Sequence, residues 1–529
     1  MTGNASGGVS LEADALVIGG GMAGGWAAIA AASAGASVVL VEKGYFGTSG
    51  VTATAGPGHW WVPPDPGLRD KAIQDREARA FGLSERAWME RILDETWRTL
   101  PTLAGYYDFA RDASGAIFYR GLRGPEYIRA LRNLAIARGV QVLDHSPALE
   151  LLLRADGSVA GAQGVRRQAG NQPWTVRAAG TVLATGGCAF LSPLLGSRNN
   201  TGDGYLMGIE AGAELSGMEF SSQHTIAAAG TSQTRSAPYS FATFTDASGR
   251  ELGDIKGIGE FRGLASALLN GPVYCTLARM PEDLRAALHR IQPAFQLPFE
   301  RQGIDPFNDR FPVTLHGEGT IRGTGGLRIV NEDCETAVPG LFAAGDAATR
   351  EPVAGATSGG GNQNSAWALT SGQRAGRAIA RLARHAGRRA DEAARPVGEA
   401  GIRPAELGGG VHAREIAHAV KDEMLPYGKV IFRSGGKLVR SIGRLDRAWD
   451  AVRDHLRDDP VRSREAAALV ATARWCYGAA LARNESRGMH QRADAPSLDP
   501  AQAHRLVVDG LDEVRVRPRP VPARLEEVA

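Results

Sequence analysis

The apolar positions near the amino terminus change their spacing within one short segment. Residues 15–18 form a continuous apolar run, which is typical of a parallel strand covered on both faces. The alanine-rich residues 26–34 favour a helix that ends at Gly35, and residues 37–41 predict a second strand. This order of strand, helix and strand predicts an α/β layout with parallel strands.

Comparable patterns continue along the chain and then change. Helical spacing predicts helices over 84–110, 124–138 and 362–384, and apolar runs predict strands over 140–143, 149–153, 181–187, 327–330 and 338–346. Between 218 and 326 the pattern shifts to turns, short strands and one helix over 282–291, which predicts an inserted domain. Further on, 446–456 and 463–481 predict amphipathic helices. The basic, proline-rich residues 514–520 predict a tail that is solvated or lies against a domain.

These patterns divide the chain into three folded parts. The predicted fold class is α/β, a Rossmann-like dinucleotide-binding domain with an inserted α+β domain and a C-terminal helical domain. The predicted bounds are 11–217 and 327–386 for the dinucleotide-binding domain, 218–326 for the inserted domain, 387–410 for a linker, 411–495 for the helical domain and 496–529 for the tail.

The turn between the first strand and the first helix carries the motif G-x-G-x-x-G. Gly19 permits the sharp turn, Gly21 lets the backbone approach a pyrophosphate, and Gly24 lets the helix lie close to the strand. Glu42 follows the second strand, where a carboxylate that binds ribose hydroxyls is expected. The motif predicts a dinucleotide site but does not choose between nicotinamide and flavin.

Other candidate contacts with the cofactor lie beside this turn or at later strand ends and helix starts. The predicted cofactor-binding set is Gly19, Gly21, Met22, Ala23, Gly24, Glu42, Lys43, Thr48, Ser49, Gly50, Thr185, Gly186, Asp203, Asp346, Ser365 and Ala366. The glycine-rich start of the helix at 362 offers free N–H groups and a positive dipole end. Both would favour negative charge on a reduced flavin ring. His59, Trp60 and Trp61 either line a pocket or pack under a loop.

Composition narrows the function classes. The net charge of +3 and the lack of a long basic block argue against nucleic-acid binding. The 4 cysteines have no C-x-x-C spacing, which argues against a cysteine-built iron–sulfur or zinc site and favours a reducing compartment. No signal peptide and no bilayer-spanning run is visible, so the expected location is the cytoplasm.

Four stretches resemble the flavoprotein family of succinate dehydrogenase, fumarate reductase, L-aspartate oxidase and the alpha chain of adenylylsulfate reductase. They are the glycine motif with Glu42, NTGDGYLMGIEAGAELSGMEFSSQ at 200–223, GLFAAGD at 340–346 with the helix that follows, and ARNESRGMHQRAD at 482–494. The last is the most specific. The resemblance implies a bound FAD, a capping domain inserted in the FAD domain, and a substrate held between the two.

Some functional residues of the family are present at the matching positions of this sequence, and others are replaced. Gly50 stands where covalent members have a histidine, so the resemblance implies noncovalent FAD. His224 falls at the substrate-binding histidine, and Arg262 falls near the proton-shuttling arginine, although its acidic neighbour is replaced by Gly263. Ser358 replaces the arginine that clamps a dicarboxylate, and Ile321 or Arg322 replaces a second histidine.

These departures make succinate or fumarate a poor match, because a serine cannot replace a bidentate guanidinium. Arg322 and Arg328 either hold an anion or are ordinary ion-paired arginines. The predicted catalytic residues are Arg262 as proton donor or acceptor and His224 as an orienting hydrogen-bond donor, and the predicted substrate-binding residues are Arg322 and Ser358. No metal site is predicted.

The resulting hypothesis is an FAD-dependent oxidoreductase. It transfers hydride between flavin N5 and a small anionic substrate bound between the FAD and capping domains. The alternative is a protein like the alpha chain of adenylylsulfate reductase, which exchanges electrons with a separate ferredoxin-type iron–sulfur protein. A third class, a flavin-bearing protein without catalysis, ranks last.

Overall fold

The computed structural model describes residues 8–111, 114–232, 234, 237–253, 255, 261–292, 295–404, 410–456 and 458–522. In chain order, the strands are β1 (Val9–Ile18), β2 (Val38–Val41), β3 (Gln141–Leu143), β4 (Ala148–Arg154), β5 (Val159–Arg166), β6 (Gln172–Leu183), β7 (Leu215–Ser216), β8 (His224–Ala228), β9 (Thr243–Thr245), β10 (Tyr274–Thr276), β11 (Phe311–Gly317), β12 (Gly326–Leu327), β13 (Leu341–Ala343), β14 (Ala394–Pro396), β15 (Arg505–Asp509) and β16 (Arg515–Arg519).

The α-helices follow the same numbering. They are α1 (Met22–Ser33), α2 (Pro66–Glu77), α3 (Arg86–Thr99), α4 (Gly124–Ala137), α5 (Asp203–Glu210), α6 (Arg262–Asn270), α7 (Glu282–Ile291), α8 (Leu297–Gln302), α9 (Gly319–Arg322), α10 (Glu351–Ala354), α11 (Gly360–Ala386), α12 (Ala413–Met424), α13 (Tyr427–Val430), α14 (Gly435–His455) and α15 (Pro460–Ala482).

The largest sheet has a parallel half and an antiparallel half that share β6. In the parallel half the order is β3-β2-β1-β6-β13, and every neighbouring pair is parallel. In the other half, β5, β4 and β14 continue from β6 in antiparallel pairs. The α/β fold class predicted from the sequence is confirmed. The carboxyl ends of five parallel strands therefore meet at one edge of the sheet.

Helix α1 packs beside the long helix α11, and both helices contact this sheet. Its alanines and glycines are buried, and they allow a close approach of the two helices. A Cβ at Gly372 or Gly376 of α11 would lie 2.4 Å from the carbonyl of Ala23 or 2.2 Å from that of Ala27. The small residues therefore fix the depth at which α11, and with it the start of that helix, sits on the sheet.

The segment 218–326 forms a second core around an antiparallel sheet with the order β8-β11-β10-β9. The sequence predicted one helix here, and that number was wrong. Among the described residues α6, α8 and α9 accompany α7, and all three are short, which weakens their periodic signal in the sequence.

A small sheet joins the places where the chain enters and leaves that segment. Its order is β12-β7-β15-β16, with Gly326 opposite Ser216 and Leu327 opposite Leu215. Strands β15 and β16 are a hairpin from the predicted tail, so the tail packs as an ordered strand pair against β7, in the predicted dinucleotide-binding domain.

Helix α15 differs from the prediction of a strongly amphipathic helix. Nearly all of its residues are buried, because α5, α12, α14 and the C-terminal hairpin cover it from several sides. Such a helix needs apolar or small residues all around, and alanines supply them.

Candidate functional site

A cavity of about 550 Å³ lies at the edge where the parallel strands end. The residue after β1 is Gly19, the residue after β2 is Glu42, and Thr185 and Asp346 follow shortly after β6 and β13. All four line the cavity. The crossover topology therefore gathers residues from four separate parts of the chain at one place, as expected for an open parallel sheet.

The cavity continues from the sheet edge to the capping segment. On the sheet side it is lined by Gly19, Gly21, Met22, Ala23, Glu42, Lys43, Ser49, Gly50, Thr185, Gly186, Asp203, Asp346 and Ser365. On the capping side it is lined by Thr225, Ile226, Tyr239, Ser240, Phe261, Gln292, Ile321 and Arg322. One continuous space thus borders both predicted binding regions.

The glycines of the turn have three different reasons to be glycine. Gly19 has φ +107°, and a Cβ there would lie 2.4 Å from the carbonyl oxygen of Ala184. A Cβ at Gly24 would lie 1.7 Å from the carbonyl oxygen of Gly19, so this position sets the contact between α1 and β1 and does not line the cavity. A Cβ at Gly21 would meet nothing within 4 Å, so that backbone faces open space. The three roles are those that a pyrophosphate-binding turn requires.

Glu42 is buried and oriented by two backbone groups. Its Oε2 accepts from the Gly20 N–H at 2.6 Å, and its Oε1 accepts from the Gly44 N–H at 2.7 Å. Each carboxylate oxygen can accept a second hydrogen bond, so the group can still receive ribose hydroxyls. The position agrees with its predicted role.

Lys43 and Asp203 also line the cavity, but they bind each other. The Lys43 ammonium donates to Asp203 Oδ2 at 2.7 Å and Thr201 Oγ1 at 2.9 Å, and it pairs with Glu465 at 2.7 Å. Burial alone would lower the pKa of Lys43, but the two carboxylates outweigh it and raise that pKa above the ordinary value. The Asn199 carbonyl oxygen is a fourth acceptor at 3.4 Å, so the three N–H groups of Lys43 are already used, and Lys43 holds Asp203 in place without a spare proton for a ligand.

The remaining predicted cofactor residues divide into two groups. Ser49, Gly50, Thr185, Gly186 and Ser365 line the cavity, and Met22 and Ala23 do so at the start of α1. Thr48 and Ala366 do not line it: the Thr48 N–H closes a turn onto the Tyr45 carbonyl, and Ala366 is fully buried.

Polar groups that have no partner among the described residues line the same cavity. They are both amide atoms of Asn364 and the Oδ1 of Asn200, all buried. Helices α1 and α11 begin at this cavity with glycine N-caps that make no side-chain capping bond. Buried donors and acceptors require partners. The uncapped N–H groups, the orphaned amides and the open space at Gly21 fit a ligand with a pyrophosphate and a polar ring, as FAD has.

Comparison with known proteins agrees with this fit. A family described as FAD binding domain matches residues 14–363, and one described as fumarate reductase flavoprotein C-term matches residues 431–525. The chain belongs to the FAD-dependent succinate dehydrogenase and fumarate reductase flavoprotein family. It is therefore an FAD-dependent oxidoreductase, as the sequence predicted. Gly50 offers no side chain for a covalent bond to FAD at that position.

Two relatives and one solved structure show how far the likeness extends. A fumarate reductase (CoM/CoB) chain of Methanothermobacter marburgensis is 28% identical, with 92% of this chain and 95% of the relative covered. L-aspartate oxidase of Streptomyces coelicolor is 27% identical, with 96% and 93% covered. Quinol fumarate reductase FrdA of E. coli has a TM-score of 0.82 at 21% identity, with 98% of each chain covered, and shows the shared fold.

His224 of this flavoprotein begins β8 and is buried at 1% exposure. Its Nδ1 lies 2.7 Å from the Ser222 carbonyl oxygen, an acceptor, which assigns the ring proton to Nδ1. Burial lowers the pKa of His224 to about 4, so the ring is neutral at neutral pH and Nε2 is an acceptor. The ring borders Gly317 of β11 and does not line the cavity. In this geometry the N–H of the ring donates to Ser222, and the role of His224 as an orienting donor to a substrate stays a prediction.

Arg262 also lies outside the cavity lining. It begins α6, its Nη1 donates to Gln491 Oε1 at 2.9 Å, and its guanidinium lies 5.2 Å from the centre of the Phe432 ring. Its neighbour Phe261 is the residue that lines the cavity. The described contacts of Arg262 tie the capping segment to the C-terminal region, so its catalytic role stays a prediction.

The two arginines that sequence reasoning could not separate have different surroundings. Arg328 pairs with Glu214 at 2.5 Å and lies away from the cavity. Arg322 lines the cavity, and among the described residues it makes no hydrogen bond or ion pair; its Nε is buried. Ser358 does not line the cavity: its carbonyl accepts from Arg76, and its hydroxyl accepts from the Gly360 N–H at 3.3 Å.

His59, Trp60 and Trp61, the aromatic segment after the glycine loop, do not line the cavity. Trp61 stacks between Trp97 and Tyr119 at ring distances of 4.2 and 4.4 Å. Among the described residues no set of three or more His, Cys, Asp and Glu side chains forms a metal site. Within the same residues, no helix combines the length and apolar character needed to cross a bilayer.

Sequence reasoning missed Asn364, Asn200, Arg350 and Tyr205. Asn364 directly precedes the predicted Ser365 in the first turn of α11, and Asn200 stands in the resembling stretch that contains Asp203. Arg350 follows Asp346 by one helical spacing and pairs with it. Their polarity beside predicted site residues was the available signal.

Proposed function

We propose that this flavoprotein transfers hydride between FAD and a small anionic substrate that Arg322 binds at the capping side of the cavity. The observation that carries the proposal is the guanidinium of Arg322. It borders the same space as the dinucleotide turn and has no carboxylate partner among the described residues. A partly buried cation without a partner attracts an anion strongly, and a guanidinium binds a carboxylate with two parallel hydrogen bonds.

The neighbouring side chains support a small organic anion. Ile226, Tyr239 and Phe261 supply apolar and aromatic surface, and Thr225 and Ser240 add hydroxyl groups. Apolar walls with a few polar groups are typical of sites for small molecules. When bound, FAD supplies the hydride acceptor, and the chain orients the substrate and excludes water.

Ser358 weakens the case for a dicarboxylate in the manner of the family's fumarate enzymes. It lacks a guanidinium, and it does not line the cavity. Arg322 then carries the recognition of the anion on the described capping side, which favours substrates with one acidic group beside the reacting bond.

The test begins with the purified protein and its flavin spectrum. Small carboxylates and sulfur compounds are screened for anaerobic bleaching of the flavin, and the reduced protein is screened for reoxidation. With the best substrate, Arg322→Gln should lower kcat/KM by about 10- to 100-fold, the effect expected for losing a charge-assisted hydrogen bond in a buried site. Arg322→Lys should retain part of the activity because it keeps the charge.

Arg328→Gln is the matched control. The same change is made six positions later in an arginine that is paired outside the cavity, and Glu214 keeps Arg517 as a partner. We expect kcat/KM within about twofold of the original value. Equal activity of Arg322→Gln and the unmodified protein would reject the assignment of Arg322.

The separate ferredoxin-type electron partner and the adenylylsulfate-reductase-like role stay predictions from the sequence. Co-purification of an iron–sulfur protein that oxidises or reduces the flavin would support them. Fast reoxidation by dioxygen with peroxide release would instead identify a free-standing oxidase.

A further inference from the structure

Arg350 is a buried arginine that contacts two loops, and both loops line the cavity. Its side chain is about 1% exposed. Its Nη1 pairs with Asp346 Oδ1, and its Nη2 donates to the carbonyls of Thr320 at 3.1 Å, Ile321 at 2.9 Å and Gly323. One guanidinium therefore joins the loop after β13 to the turn formed by α9.

The two joined segments face the same cavity from different sides. Asp346 lies at the sheet edge, where a strand-end carboxylate meets the sugar-alcohol part of the cofactor in the sequence prediction. Ile321 and Arg322 lie at the capping side. The three carbonyls belong to residues on both sides of Arg322, so Arg350 fixes the backbone from which that side chain projects.

Tyr205 forms a second link between the same segments. Its hydroxyl lies 2.7 Å from the Asp346 carbonyl, 2.9 Å from Thr320 Oγ1 and 3.2 Å from the Gly325 carbonyl. Thr320 Oγ1 in turn accepts from the Cys188 N–H at 2.8 Å. These side chains are all buried, so each bond is made without competition from water.

The energetics make the link stiff. A buried guanidinium is costly unless a carboxylate and other acceptors bind it. Here one carboxylate binds Nη1 and three carbonyls bind Nη2, while Nε has no hydrogen-bond partner among the described residues. Moving the α9 turn away from Asp346 would leave the charge or the carbonyls without partners. We therefore expect the loop after β13 and the α9 turn to move together and to become ordered together.

We propose that Arg350 is a positioning residue that couples FAD binding at Asp346 to the orientation of Arg322 toward the substrate. When FAD fixes the Asp346 carboxylate, that carboxylate fixes the guanidinium, and the guanidinium fixes the turn at residues 319–323. This inference rests on the proposed function, because it takes Asp346 as a contact of FAD and Arg322 as the contact of the anion.

Hydrogen–deuterium exchange of the peptide 319–326 measures this coupling without any turnover. In the unmodified full-length protein, FAD should slow exchange there by about tenfold relative to the same protein stripped of FAD. In Arg350→Gln the difference should fall below about twofold, and Arg350→Lys should lie between because it keeps the charge but not the planar fork. With a substrate in hand, Arg350→Gln should raise KM more than it lowers kcat.

Arg76→Gln is the matched control. Arg76 is likewise buried and donates to carbonyls, those of Val353 and Ala354, but it does not touch the α9 turn. FAD-dependent slowing at 319–326 should survive this change. Persistence of the slowing in Arg350→Gln, or its loss in both variants, would overturn the coupling.

A second variant, which keeps the buried charge of Arg350, provides a test if Arg350→Gln does not fold. Tyr205→Phe removes only the hydroxyl of the second link, and it should reduce the FAD-dependent slowing by about threefold. An unchanged value in a folded Tyr205→Phe protein, when Arg350→Gln does not fold, would also overturn the inference. If FAD slows exchange at 319–326 as expected but Arg322→Gln leaves kcat/KM unchanged, the proposed substrate contact is rejected and the coupling is supported.

Discussion

The two sides of the cavity are built in different ways. On the sheet side, Gly19, Gly21 and Glu42 act through backbone positions and strand ends that follow one another closely in the chain. On the capping side, Arg322 and Phe261 come from short elements held by contacts with distant residues. The dinucleotide turn with Glu42 on the sheet side is therefore determined by local spacing, whereas the capping side depends on which remote groups hold each side chain.

This contrast explains why the same resemblance predicts the two sides unequally. A motif that specifies backbone shape keeps its meaning wherever it occurs in a strand–turn–helix unit. A side chain carried over by position keeps its role only if its partners are also present. His224, Arg262 and Ser358 occupy expected positions, but their described contacts lead away from the cavity.

The largest expected effect comes from the sheet side. Gly24→Ala should lower the free energy of unfolding by at least about 3 kcal/mol, because its Cβ would collide with backbone that no rotamer change can move. Urea denaturation followed by circular dichroism measures the change. A stable Gly24→Ala protein would break the argument that backbone contact determines this side.

Gly21→Ala is the companion change with a different outcome. Its Cβ enters open space, so folding should persist while FAD affinity falls by about 10- to 100-fold. Titration of FAD-free protein, followed by flavin fluorescence, gives the affinity. Unchanged affinity would mean that the pyrophosphate does not approach this turn.

His224 sharpens the comparison through its pH dependence. Its pKa of about 4 in the fold lies below the ordinary 6.5, so the unfolded chain binds more protons between these values. Stability should therefore fall as pH falls from 6.5 to 4, and His224→Asn should reduce that slope by up to about 1.4 kcal/mol per pH unit. Urea midpoints at pH 4.5, 5.5 and 6.5 test this, with pH 8 as the baseline. An identical slope in both proteins would contradict the buried neutral ring.

The smallest expected effect concerns Ser358. Because its hydroxyl faces Gly360 and does not line the cavity, Ser358→Ala should change KM by less than about twofold. Steady-state kinetics with the best substrate of the screen measures it. A tenfold rise would return Ser358 to the substrate site and weaken the contrast between the two sides.

Sequence reasoning succeeded where one short segment contains all the information. The strand, glycine turn, helix and Glu42 were predicted from spacing, and so was the long helix that becomes α11. The opposite case is the C-terminal tail. Its strand β15 pairs with β7, roughly half a chain away, and nothing in residues 505–519 specifies that partner.

The prediction that α15 is amphipathic was wrong for a similar reason, because this helix is buried on several sides. The alanines of α15 fit an amphipathic helix in isolation, but the covering elements come from elsewhere in the chain. For Arg322 and Arg328 the sequence offers two equal cations. The difference between them is Glu214, more than a hundred residues earlier, which only the fold places beside Arg328.

The small sheet at the base of the capping segment has a further consequence. Because Ser216 and Gly326 are paired neighbours, the inserted segment leaves and re-enters the FAD-binding part at one place. An inserted segment whose two ends are adjacent can change in length or be replaced during evolution with little strain on the domain that contains it. The C-terminal hairpin pairs with β7 at the same place, so the inserted segment can change while the large sheet keeps its shape.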